Sequence, residues 1–143
     1  MRLTSFTDYS LRVLIYLATE PDRRATIATI AAAYDIKENH LTKVVHFLAQ
    51  QGWVNTVRGK GGGLELARDP AGLVVGEVVR RCEGDDMPAE CFDPEHNRCR
   101  ITPVCRLSRV LHEATAAFHA ALDRHTLADL VLNRRALAPL LQI

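Results

Sequence analysis

The chain has 143 residues, 48% hydrophobic and 24% charged, which supports one buried core and excludes a disordered or low-complexity protein. The net charge of +1 does not by itself point to a nucleic acid. The start, Met1-Arg2-Leu3-Thr4-Ser5, lacks a signal-peptide core, and the apolar run at 13–18 is too short to span a bilayer, so a cytoplasmic protein with no membrane partner is expected.

Residues 5–20 predict a first helix. Ser5 followed by Asp8 fits a capping box with an acidic third residue, and Tyr9, Val13, Tyr16 and Leu17 recur at helical spacing. Thr26 then fits an N-cap for a second helix carrying Ile27, Ile30, Ala31 and Tyr34 on one stripe. A turn at 35–37 leads to a third helix over 38–51, with Leu41, Val44, Val45 and Leu48 inward and Gly52 as its stop. Residues 53–58 are rich in β-formers, 59–63 are a glycine-rich turn, and Leu64-Glu65-Leu66 alternates again, which predicts a hairpin. A fourth helix is expected over 75–81.

This order predicts a mainly α protein built on a winged helix-turn-helix. In that arrangement the third helix enters the major groove and the hairpin tip reaches a neighbouring strand. The outward face of the third helix then carries Asn39, His40, Thr42, Lys43 and His46, whose donors and acceptors suit base edges and phosphates. Arg58 and Lys60 supply charge at the wing tip. Local charge agrees: residues 35–68 hold five Lys/Arg against three Asp/Glu, whereas residues 83–100 hold six Asp/Glu against two Arg.

Residues 82–100 are aperiodic and acidic and read as a loop, long enough to need something other than a core to order it. Cys91, Cys99 and Cys105 follow a C-x7-C-x5-C spacing, unlike the paired spacing of a zinc ribbon. Spacing alone leaves open an iron–sulfur cluster with a non-cysteine fourth ligand, a zinc site, and unmetallated thiols. His96 lies between the first two cysteines and is a rival fourth ligand; Cys82 reads as a small buried residue. Thr102-Pro103 is expected to open a long helix with a heptad-like seam through Val104, Leu107, Leu111, Ala114, Phe118 and Ala121. A last helical piece is expected over 127–141. No nucleophile motif, phosphate loop or catalytic carboxylate pair stands out, so an enzyme is not expected.

Leu3-Thr4-Ser5-Phe6-Thr7-Asp8-Tyr9, Asn39-His40-Leu41, the run from Val57 through Arg58-Gly59-Lys60 to Gly63, Ile101-Thr102-Pro103-Val104-Cys105-Arg106-Leu107 and Thr126-Leu127-Ala128-Asp129-Leu130 together resemble the NsrR branch of the iron–sulfur winged-helix regulators that also include IscR. The resemblance implies a homodimeric repressor that reads a palindromic DNA site and senses nitric oxide. It implies an iron–sulfur cluster, 4Fe-4S with 2Fe-2S as the alternative, on Cys91, Cys99 and Cys105, with Asp8 of the partner subunit completing the coordination. IscR-like members use a histidine three residues after the last cysteine; Ser108 stands there in this chain. The implied organisation is a DNA-binding domain at 1–81, a cluster-binding loop at 82–102, and a dimerisation helix with a C-terminal helical segment at 103–143. The alternatives are a redox or iron–sulfur-status regulator with a 2Fe-2S cluster, and a zinc- or thiol-based interaction module.

Overall fold

The computed structural model describes residues 3–84 and 88–143. Met1, Arg2, Asp85, Asp86 and Met87 lie outside the described residues, so two of the six carboxylates counted above are not placed.

Seven α-helices and one hairpin make up the described chain: α1 (Ser5–Thr19), α2 (Ile27–Tyr34), α3 (Glu38–Gln50), β1 (Val54–Val57), β2 (Gly63–Leu66), α4 (Val75–Glu83), α5 (Arg106–Leu122), α6 (Leu127–Leu130) and α7 (Arg134–Leu140). The expected helix-helix-helix-hairpin order is therefore present. The strands pair antiparallel with Val54 opposite Leu66 and Val57 opposite Gly63. Ala25 adds a bridge to Leu64 on the other side of β2.

Local chemistry explains most boundaries. Thr26 caps α2 in a reciprocal box with Thr29, and Asp35 ends that helix at φ 52°. Gly52, at φ 68°, turns the chain out of α3, and the Trp53 N–H closes the end by donating to the Leu48 carbonyl at 3.0 Å. The inward faces of α1, α2 and α3 meet the hairpin in one core; Val13, Leu14, Ile30, Leu41 and Leu48 are fully enclosed there, with Trp53 beside them.

Four boundaries differ from expectation. The N-cap of α1 is Thr4, whose hydroxyl accepts from Thr7 N–H, not Ser5 with Asp8. Thr4 is selected by Glu83 at the end of α4, whose Oε1 accepts from the Thr4 N–H at 2.9 Å and its hydroxyl at 3.1 Å. Thr102-Pro103 opens a separate 3-10 turn, Thr102–Val104, and α5 begins only at Arg106 with Cys105 as its N-cap. The Thr102 hydroxyl donates backward to the Cys99 carbonyl at 2.9 Å instead of capping forward. The last helical piece is split into α6 and α7, because Val131 leaves helical geometry at φ −115°. The fourth helix also runs on to Glu83, where Gly84 stops it at φ 61°.

Among the described residues no helix is long and apolar enough to cross a membrane. No residue of α5 is buried. Its C-terminal end is moored to the winged unit by hydrogen bonds from Val75 N–H to the His125 carbonyl (2.9 Å) and from Leu127 N–H to the Leu73 carbonyl (2.8 Å). Arg80 grips Asp123 through two bonds of 2.8 and 3.1 Å and holds that carboxyl below its usual range. Gly76 makes the approach possible: a Cβ there would lie 2.0 Å from Asp123 Oδ1.

Candidate functional site

The amphipathic pattern of α3 sorts its side chains. Leu41, Val44, Val45 and Leu48 are buried, and Asn39, His40, Thr42, Lys43 and His46 are all exposed on the other face. Thr42 donates its hydroxyl proton to the Glu38 carbonyl (2.9 Å), so it faces outward as an acceptor. Arg58 and Lys60 are exposed at the hairpin tip, and among the described residues no carboxylate comes within ion-pair distance of Lys43, Arg58 or Lys60. The tip needs its glycines: a Cβ on Gly62 would lie 2.3 Å from the Val57 carbonyl oxygen, and Gly61 sits at φ 78°. The structure thus brings the seven expected DNA-contacting residues onto one helix face and one hairpin tip.

The cysteines occupy a segment held by polar contacts rather than by a core. Cys91 lies in the 3-10 turn Glu90–Phe92, Cys99 precedes the turn Thr102–Val104, and Cys105 caps α5. All are free, half-buried thiols. Asn97 organises the stretch: its Oδ1 accepts from Cys99 N–H (3.0 Å) and its Nδ2 donates to the Thr102 hydroxyl (3.1 Å). Glu90 accepts from Arg98 N–H across the loop. Phe92, next to Cys91, stacks face to face on His112 of α5 with centroids 3.8 Å apart.

His96 is 80% exposed and its Nδ1 lies 2.8 Å from Asp93 Oδ2, which holds the Asp93 carboxyl below its usual range. The rival fourth ligand thus has a partner within its own chain, as Asp8 has in Arg12. Cys82 stands apart on α4, packed against the core with its thiol pushed up by burial. Within one chain, and among the described residues, no three His, Cys, Asp or Glu side chains gather around a single ion position. Three free thiols on one segment nevertheless fit the donor chemistry of a thiolate-held iron–sulfur group, whose several atoms set its ligands farther apart than one ion does.

Asp8 is in the first turn of α1 and pairs with Arg12 at 2.9 Å, both side chains more than 40% exposed. It does no capping. An exposed i,i+4 pair of this kind contributes about 0.5 kcal/mol at most. Asp8→Ala is therefore expected to leave the melting temperature of the metal-free protein nearly unchanged, as differential scanning calorimetry would read.

Helix α1 also touches the candidate DNA-reading helix directly. Phe6 meets Phe47 edge to face at 5.3 Å, and Tyr9 stacks on His40 at 6.2 Å. Sequence inspection missed these links and the Glu83–Thr4 clamp, which joins residues 79 positions apart and leaves no local signature. The i,i+4 spacing of Asp8 and Arg12 is, by contrast, a local signature of their ion pair.

Residues 3–133 match the family described as Rrf2, iron-dependent transcriptional regulator. The chain is 51% identical over 144 residues to the HTH-type transcriptional regulator NsrR of Bacillus subtilis (strain 168), covering 100% of this chain and 99% of that protein. It is 47% identical to the regulator of the same name from Shouchella clausii, covering 99% and 96%. Among solved structures, T. potens IscR superposes with a TM-score of 0.75 at 25% identity, covering 93% of this chain and 88% of that one. The oxidized form of Staphylococcus aureus CymR superposes with a TM-score of 0.73 at 22% identity, covering 92% and 97%.

Proposed function

The chain belongs to the Rrf2 family of transcriptional regulators, and on that premise we propose that it is a homodimeric repressor that releases its DNA when nitric oxide reacts with an iron–sulfur cluster on Cys91, Cys99 and Cys105. Its relatives are named regulators, not enzymes. The reading assigns the fourth ligand to Asp8 of the partner subunit.

The observation that carries this reading is the position of α1. One helix has Asp8 in its first turn and packs Phe6 and Tyr9 against Phe47 and His40 of α3. With Asp8 held, α1 is fixed at its start, and the aromatic contacts pass that constraint to the helix that reads DNA. With Asp8 released, the constraint is lost and the two recognition helices no longer match a palindromic site. A bound cluster supplies iron that nitric oxide can ligate. A coupling of this kind needs only about 1–3 kcal/mol, roughly a 5–150-fold change in DNA affinity.

Dimerisation through α5 is supported by the apolar side chains left uncovered on it and on the turn before it: Leu107 is 62% exposed and Val110 58% on the helix, and Val104 83% in the turn. Iron rather than zinc is favoured by the family to which the chain belongs, described as iron-dependent transcriptional regulators.

The deciding experiment is anaerobic purification, with iron and sulfide assays, absorbance spectra and DNA affinity on selected palindromic duplexes before and after nitric oxide. The expected result is a coloured protein that binds DNA tightly and loses at least tenfold in affinity on exposure. Colourless, iron-free protein with unchanged affinity would sink the sensing claim. Mössbauer spectra separate the 4Fe-4S form from the 2Fe-2S alternative. Asp8→Ala is expected to blunt the response despite its near-normal stability.

A further inference from the structure

We propose that Arg24 is a positioning residue for the wing, clamping the hairpin tip that carries Arg58 and Lys60 to the body of the fold. The inference rests on the DNA-binding reading above. Arg24 lies outside α1, α2 and the hairpin, in the turn between the first two helices. Its Nε donates to Glu65 Oε2 at 2.6 Å, and its Nη1 donates to the Gly61 carbonyl at 3.2 Å. One guanidinium thus holds β2 and the tip together.

The backbone beside it is zipped to the same strand. Ala25 N–H donates to the Leu64 carbonyl at 3.1 Å, and Leu64 N–H donates to the Ala25 carbonyl at 2.7 Å. The approach is close enough to require glycine at position 63: a Cβ there would lie 2.8 Å from the Ala25 carbonyl oxygen and 3.2 Å from Arg24 Cβ.

The need for a brace follows from the tip's composition. Gly59, Gly61 and Gly63 all have positive φ, and glycine loses more conformational freedom on ordering than any other residue. A loose tip would lose that freedom on meeting DNA and weaken binding. A tip already ordered by Arg24 takes that loss during folding. The Arg24 and Glu65 side chains are 42% and 31% exposed, so the pair adds little to global stability and its effect is local.

This assignment makes a sign prediction that simple charge does not. Glu65→Ala removes a negative charge near the DNA-facing tip, so electrostatics alone predicts tighter binding. The brace predicts weaker binding, by about threefold to tenfold. Arg24→Lys keeps the charge but has no fork to bridge both acceptors, and it is expected to weaken binding similarly.

The test measures duplex affinity of the full-length holoprotein by fluorescence anisotropy for the parent, Arg24→Ala, Arg24→Lys and Glu65→Ala. It also measures hydrogen exchange of residues 59–63 in the DNA-free protein. Faster exchange at the tip together with weaker binding by Glu65→Ala is the expected result. Unchanged exchange in Arg24→Ala and Glu65→Ala, or binding by Glu65→Ala as tight as the parent's or tighter, overturns the brace. Failure of the DNA-binding reading appears differently, as a parent protein that selects no duplex, and the exchange data still decide whether Arg24 holds the tip.

Discussion

Serine at Cys91, Cys99 or Cys105 is expected to abolish iron retention while shifting the stability of the metal-free protein by no more than about 0.5 kcal/mol. The separation of the two effects follows from where these residues lie. Neither of the 3-10 turns that flank them contains a buried residue, and α5 contains none. The stretch is shaped by Asn97, Glu90 and the Phe92–His112 stack, all of which survive the exchange of sulfur for oxygen. Serine nearly matches the thiol in size but does not offer a soft thiolate donor. Cys82→Ser is the control. It touches the core from α4 and is expected to leave iron content unchanged. Iron and sulfide assays on anaerobic protein, with calorimetry on the metal-free form, check both halves. A serine variant that keeps the parent's iron would remove that residue from the ligand set.

The second large effect is on the other arm of the molecule. Leu48→Ala should cost about 2–5 kcal/mol, a large share of the roughly 5–15 kcal/mol that holds a domain folded. Leu48 is completely enclosed, and its carbonyl accepts the bond that closes α3. The cavity opens where α3 meets the core, so repacking by neighbours is restricted. Urea titration should show a lower midpoint with an unchanged slope. His46→Ala, two residues earlier on the exposed face, should instead leave the midpoint in place and weaken DNA binding. One helix then separates into a face that holds the fold and a face that meets the ligand.

The winged unit was legible because its signals are local. Apolar spacing, Thr26 as a cap, Gly52 as a stop and the glycine run each lie within a few residues of the feature they specify. Two readings failed because the deciding contact was elsewhere. Thr4 and Ser5 both offer a capping hydroxyl, and the choice is made by Glu83, distant in sequence but adjacent in space. Thr102-Pro103 carries the signature of a helix start, yet that signature also fits a 3-10 turn, and the Thr102 hydroxyl bonds back to Cys99. For the site, the exposed face of α3 followed from its period. The cysteine segment has no period, and spacing could say only that three thiols share one stretch. The aromatic links from α1 to α3 needed tertiary structure.

The mooring of α5 gives the molecule a lever. A 17-residue helix spans about 26 Å, and its fulcrum is the Asp123 end, where Arg80 and Gly76 hold it. Cys105 stands at the far tip. A swing of about 5° at the fulcrum moves that tip by roughly 2 Å. Run in reverse, the same arm converts a displacement of one bond length or so among the thiols into a tilt of only a few degrees at α4. The moored end therefore turns little for a given movement at the thiols, and Arg80 and Gly76, which hold Asp123, meet that turn first.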